Sequence, residues 1–91
     1  MNINYDMLPY HMRDGTRLYI ESGIPGGSFM TALFSNDLLG AFQWADTTNT
    51  AAMRSWASFL HNEAPIGCYG SPEIVRDWIK HGGLSGLDGA A

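Results

Sequence analysis

"SPEIVRDWIKHGG" (71–83) decides the fold class. Ser71 is a good N-cap, Pro72 suits the first helical position, and Glu73 falls in the first turn, where the helix dipole favours a carboxylate. Ile74, Val75, Trp78 and Ile79 recur at helical spacing and form one apolar stripe. Lys80 and His81 occupy the last turn, and Gly82-Gly83 ends the helix. This is a helix with both ends marked and one face to bury.

The segments before it follow the same logic. "TAAMRSWASFLHN" (50–62) places Ala52, Met53, Trp56, Phe59 and Leu60 on one face, and "EAPIGCYG" (63–70) breaks the pattern. "DTTN" (46–49) competes with helical backbone and reads as a turn and cap. Further back, "SFMTALFS" (28–35) is expected to be a helix capped by Ser28 with Phe29, Met30, Leu33 and Phe34 as anchors. "SND" (35–37) then offers three capping side chains, so a second helix over 38–45 is expected, a continuous helix over 28–45 being the alternative. "LPYHMRDGTRLYIESG" (8–23) carries Leu8, Met12, Gly15, Leu18 and Tyr19 on one stripe and reads as a helix ended by Gly23, with Gly15 at a close contact. A break at Asp14-Gly15 is the competing reading. Trp44, Trp56 and Trp78 all fit helical stripes and are expected in the core. No strand-like alternation, hairpin signal or internal repeat is evident. The expectation is an all-α fold: one compact domain of four or five short helices over 1–84, with "LSGLDGAA" (84–91) frayed and 85–91 a flexible tail.

Bulk properties narrow the function. Ninety-one residues make one small domain, marginal on its own, which favours a homo-oligomer. A net charge of −4 with five Lys and Arg argues against nucleic acid and anionic membranes, which need basic patches. Charged residues at 15% are sparse against roughly 25% in an average domain, which suits a surface that covers a partner. A single cysteine, Cys68, excludes an intramolecular disulfide and points to a reducing compartment. No targeting signal or membrane-length apolar run is seen, so an intracellular protein is expected.

Catalysis finds little support. His11, His61 and His81 share no metal-ligand spacing, and His61 with Cys68 falls short of a zinc site. Cys68 reads as a small buried hydrophobe rather than a nucleophile, and Asp37, Asp46 and Glu73 read as caps or first-turn charges. No cofactor, metal or catalytic residue is expected. Two Gly-Ser helix starts draw more interest: "GGSF" (26–29) and "YGSP" (69–72). A helix N-terminus presents free N–H groups and partial positive charge to an anion. Gly26, Gly27, Ser28, Gly70 and Ser71 are therefore candidate phosphate contacts, with Phe29 and Tyr69 to stack on a base and Arg17 and Arg76 to pair with a phosphate. Ordinary capping turns explain the same residues, and the first loop lacks the lysine of a P-loop.

"YIESGIPGGSFMTALFSNDLLGAFQWADTTN" and "FLHNEAPIGCYGSPEIVRDWIKHGGL" together resemble a family of small proteins of tailed phages and prophages. The family pattern runs close to Y-I-x-x-G-I-P-P-G-S-F-L-x-A-V-L-x-N-D-L, then A-D-x-x-N, then P-x-x-C-W-G-S-P-x-x-V-x-x-W-I. The match covers residues 8 to about 84, with Gly26 where a second proline is usual and Tyr69 where tryptophan is usual. The resemblance implies an accessory phage gene acting in the cytoplasm of the infected bacterium, and such small proteins are often counter-defence factors. It carries over no catalytic residue. The leading expectation is a non-catalytic sponge for a host nucleotide signal, a cyclic dinucleotide or an ADP-ribose derivative. The alternative is an anti-CRISPR-like inhibitor that binds a host defence protein.

Overall fold

The computed structural model describes residues 2–89. They form an all-α fold with no strand among them: two single 3-10 turns, Tyr5–Met7 and Tyr10–Met12, followed by helices α1 (Arg13–Ser22), α2 (Ser28–Phe34), α3 (Leu38–Trp44), α4 (Thr47–Ala51), α5 (Met53–Asn62), α6 (Pro72–His81) and α7 (Gly83–Gly89). Seven helices form among the described residues where four or five were expected: α4 arises where "DTTN" reads as a turn, and α7 where the chain reads as frayed.

The first cut falls at Arg13. Its guanidinium donates back to the carbonyls of Leu8 (3.0 Å) and Asp6 (2.8 Å), which holds the preceding segment in 3-10 turns and starts the regular helix only there. Neither a single helix over 8–23 nor a break at Asp14-Gly15 is what forms. Gly15 is not at a close contact either, since a Cβ there would meet only Met30 Sδ, at 3.8 Å. The second cut separates α2 from α3. Asn36 takes a left-handed conformation (φ 64°), and the Asp37 carboxylate accepts the Gly40 N–H at 2.9 Å to start α3 afresh. The third falls at Ala52. Asp46 caps α4 through the Asn49 N–H (2.7 Å), and α5 begins at Met53 rather than at Thr50.

α6 forms as its sequence predicts. The Ile74 N–H donates to Ser71 Oγ (3.1 Å), Pro72 opens the helix, and Gly82 ends it at φ 84°. Val75 and Trp78 are buried, whereas Ile74 lies at the exposed rim of the expected stripe.

The core gathers Trp56, Trp78, Phe34, Phe59, Tyr19, Ile20 and Leu8. Its polar atoms are matched by hydrogen bonds. The Trp78 indole N–H donates to the carbonyls of Tyr19 (3.0 Å) and Ile20 (3.2 Å), the Tyr19 hydroxyl to the Cys68 carbonyl (2.7 Å), and the Trp56 indole to Asn49 Oδ1 (3.0 Å). Ile20 lies in the last turn of α1, where carbonyls have no helical donor, so Trp78 caps α1 as it fills the core.

Residues 84–89, expected to fray, are instead part of α7, which lies against α1; residues 90–91 of the expected tail lie outside the described residues. Gly23 and Gly83 make this possible. Both have positive φ (69° and 67°), and a Cβ on either would meet the other segment's backbone at 2.6–2.8 Å. Two backbones touch where no side chain fits, and the end of α1 is pinned to the α6–α7 corner.

Gly23→Ala should therefore destabilise by at least about 2 kcal/mol, from the left-handed backbone alone roughly 1–2 kcal/mol and more from the clash. Gly15→Ala should stabilise by about 0.5–1 kcal/mol, since a helical position with room for a methyl gains from lost unfolded-state freedom. Urea melts of the two variants check both signs.

Acid sensitivity follows from α4. Donation from the Asn49 N–H, with the neighbouring His11 ring 2.9 Å away, holds the Asp46 carboxyl below its usual range. Such a group contributes stability above the unfolded pKa, about 3.9, and loses it as pH falls through the lower folded value. Thermal melts between neutral pH and pH ~2 should show a steeper acid loss for the wild type than for Asp46→Asn, which keeps the cap without the charge.

Candidate functional site

Two concavities open beside α3, which stands between them as a rib. One is an open hollow of about 580 Å3 lined by Gly26, Gly27, Ser28, Thr31, Ser35, Asp37, Trp44 and Pro72, among others. The other is an apolar groove of about 320 Å3 between α3 and α5. Beneath the 23–27 loop the void is only about 10 Å3, room for no more than a water.

The start of α2 forms one wall of the hollow. Its cap is Gly27, not Ser28: Gly27 is extended (φ −79°, ψ −170°), and its carbonyl accepts the Thr31 N–H at 2.9 Å. Ser28 is the first helical residue, and no side chain caps this end. The N–H groups of the first turn are thus left to solvent or to an acceptor from outside. Gly26 and Gly27 differ in what they permit. A Cβ on Gly26 would meet Met30 Sδ at 2.7 Å, whereas nothing lies within 4 Å of a Cβ on Gly27. Ser28, Thr31 and Ser35 follow at intervals of three and four and line the hollow with three hydroxyls.

Trp44 closes the other side. It was expected in the core and is instead 59% exposed, because α3 buries its small face, Ala41 with Ala45 packed beside it. Trp56 and Trp78 are the core tryptophans.

The nine candidate residues are therefore divided by the fold. Gly26, Gly27 and Ser28 line the hollow, and the second Gly-Ser start reaches it only through the Pro72 ring. Ser71 spends its hydroxyl on the cap of α6, and the Gly70 N–H donates to the Phe34 carbonyl at 2.8 Å. Phe29 is buried edge-on against Trp56, with ring centroids 5.4 Å apart, and cannot stack on a ligand. Tyr69 is half-buried against the core. Neither arginine lines the hollow. Arg17 reaches Asp14 (3.6 Å) and Glu21 (3.9 Å) over the Tyr5 ring, and Arg76 reaches Glu73 (3.8 Å). What the sequence reading missed is Thr31, Ser35 and Trp44. The hydroxyl spacing within "SFMTALFS" is the signal that could have found the first two.

The charge at the site is negative: Asp37 lies on its rim, and its carboxylate already serves as the cap of α3. Backbone N–H groups, hydroxyls and an indole face suit a ligand that is partly aromatic and rich in hydroxyl and oxygen acceptors. Cys68 stands apart. It is fully buried, and burial pushes its thiol up to about 12.

Comparison with protein-family models, with curated proteins and with solved structures finds no match for this chain. Among the described residues no helix is long and apolar enough to cross a membrane.

The state of Cys68 is directly measurable. A thiol reagent at pH ~8 should leave it unmodified in the folded chain and label it fully in urea; rapid labelling of the folded chain would contradict its burial.

Proposed function

We propose that this protein is a non-catalytic binding protein that sequesters a nucleotide-type signal in the hollow between α2 and α3. The carrying observation is the convergence there of an uncapped helix start, three hydroxyls and the exposed Trp44. In this reading the base stacks on the indole. Ribose and phosphate oxygens accept from the first-turn N–H groups and from Ser28, Thr31 and Ser35. Among the described residues no Lys or Arg lines the hollow, so the phosphates stay partly in solvent, which suits a ligand of one or two phosphates better than a triphosphate.

The resemblance to small tailed-phage proteins supports the biological half of the reading. A chain made in an infected bacterium that holds a cyclic dinucleotide or an ADP-ribose derivative would keep that signal from its host effector. Sequestration needs tight binding and abundance, not chemistry.

Gly27→Asp separates the site from the fold. Position 27 has room and extended backbone, and Asp is a better N-cap than Gly by a few tenths of a kcal/mol, so the variant should fold at least as well as the wild type. Its carboxylate would occupy the free N–H groups and repel a phosphate. Titration calorimetry against ADP-ribose and a set of cyclic dinucleotides should show wild-type binding to at least one of them, weakened tenfold or more, about 1.4 kcal/mol, in Gly27→Asp. No heat from any of these probes with folded protein, or binding untouched by Gly27→Asp, overturns the proposal.

A further inference from the structure

The far side of α3 carries a different kind of surface. Leu38 and Leu39 are 65% and 82% exposed, and Phe42 is half-exposed. Beside them runs the α3–α5 groove, lined by Leu33, Leu38, Ala41, Phe42, Met53 and Leu60 along its apolar length. A protruding apolar ridge and an apolar groove thus share one helix. That is the arrangement a two-fold contact requires, because each copy must offer both the knob and the hole.

The charges agree. Asp37 and Arg54 both line the groove, and neither has an ion-pair partner among the described residues. The other three arginines all reach carboxylates within the chain. The groove thus carries one unpaired charge of each sign, which is self-complementary across a two-fold axis.

We propose that this face is the interface of a symmetric homodimer: Leu39 and Phe42 of each copy seat in the α3–α5 groove of the other, and Arg54 pairs with Asp37 across the axis. Asp37 lines both the groove and the hollow, whereas Gly27, Ser28, Thr31, Ser35 and Trp44 lie outside the groove and stay open in such a dimer. The dimer would carry two hollows beside one seam.

Sedimentation equilibrium of the full chain, without ligand, tests it with two variants. Leu39→Glu changes an exposed first-turn position where a carboxylate suits the helix dipole, so α3 should still form. Arg54→Asp places like charges across the axis, and Arg54→Lys keeps the pairing. The wild type should sediment at twice the chain mass. Leu39→Glu and Arg54→Asp should each weaken the dimer roughly tenfold or more with unchanged circular dichroism, and Arg54→Lys should stay near wild type. A wild-type monomer at high protein concentration overturns the proposal. So does a dimer indifferent to both disruptive substitutions, or a monomer that uses Leu39 only to bind a host protein.

Discussion

The indole N–H of Trp78 donates to the Tyr19 and Ile20 carbonyls, at 3.0 and 3.2 Å, and the fold is organised around that contact. It joins helices almost sixty residues apart in the chain. One side chain fills the centre of the core and satisfies the exposed end of α1, two tasks that usually fall to different residues. An unpaired buried carbonyl costs about 1–3 kcal/mol, a large part of the stability available to a chain this small. The reciprocal Gly23–Gly83 contact lies at the same end of α1 and lets α7 close over it. The Tyr19 hydroxyl, bonded to Cys68, extends the anchor into the loop before α6. With α1, α6 and that loop held, the Gly70 N–H fixes the end of α2 through Phe34.

α2 is part of this core, whereas α3 is positioned by it and contributes little to it. α2 buries Phe29, Met30, Ala32 and Phe34 and turns its hydroxyls outward, while α3 buries chiefly Ala41. Small residues on the inner face of α3 bring it close to α2 and leave every large side chain outside. A short helix that spends its bulk on the surface gains little for folding from those side chains. Two flanks with different chemistry follow: hydroxyls, free N–H groups and an indole on one, leucines, a phenylalanine and Arg54 on the other.

Much of this was legible in the sequence where local signals were complete. α6 has a cap, a proline, a stripe and a terminating glycine within thirteen residues, and it forms as read. The two Gly-Ser dipeptides show where local reading stops. Pro72 sets the register at the second, so Ser71 becomes the cap. Without a proline at that position, α2 starts one residue earlier relative to its serine: Gly27 caps and Ser28 enters the helix. That the second start is not free depends in part on a contact 36 residues away, Gly70 to Phe34, which no local pattern encodes. Trp44 was misplaced because a stripe of large apolar residues is the usual buried face, and here the alanines took it. The helix over 83–89 had no signal, since its glycines are poor helix formers and its order comes from packing on α1.

The three tryptophans allow the central claim to be read atom by atom. A 1H–15N correlation spectrum of the labelled protein resolves three indole N–H signals, two from Trp56 and Trp78 in the core and one from Trp44 at the hollow. On titration with ADP-ribose or a cyclic dinucleotide that binds, the Trp44 indole and the amides of Gly27, Ser28, Thr31 and Ser35 should move together while the core indoles stay in place. Shifts confined to Arg17, Tyr69 or Arg76, with the Trp44 indole unmoved at saturation, would contradict the account.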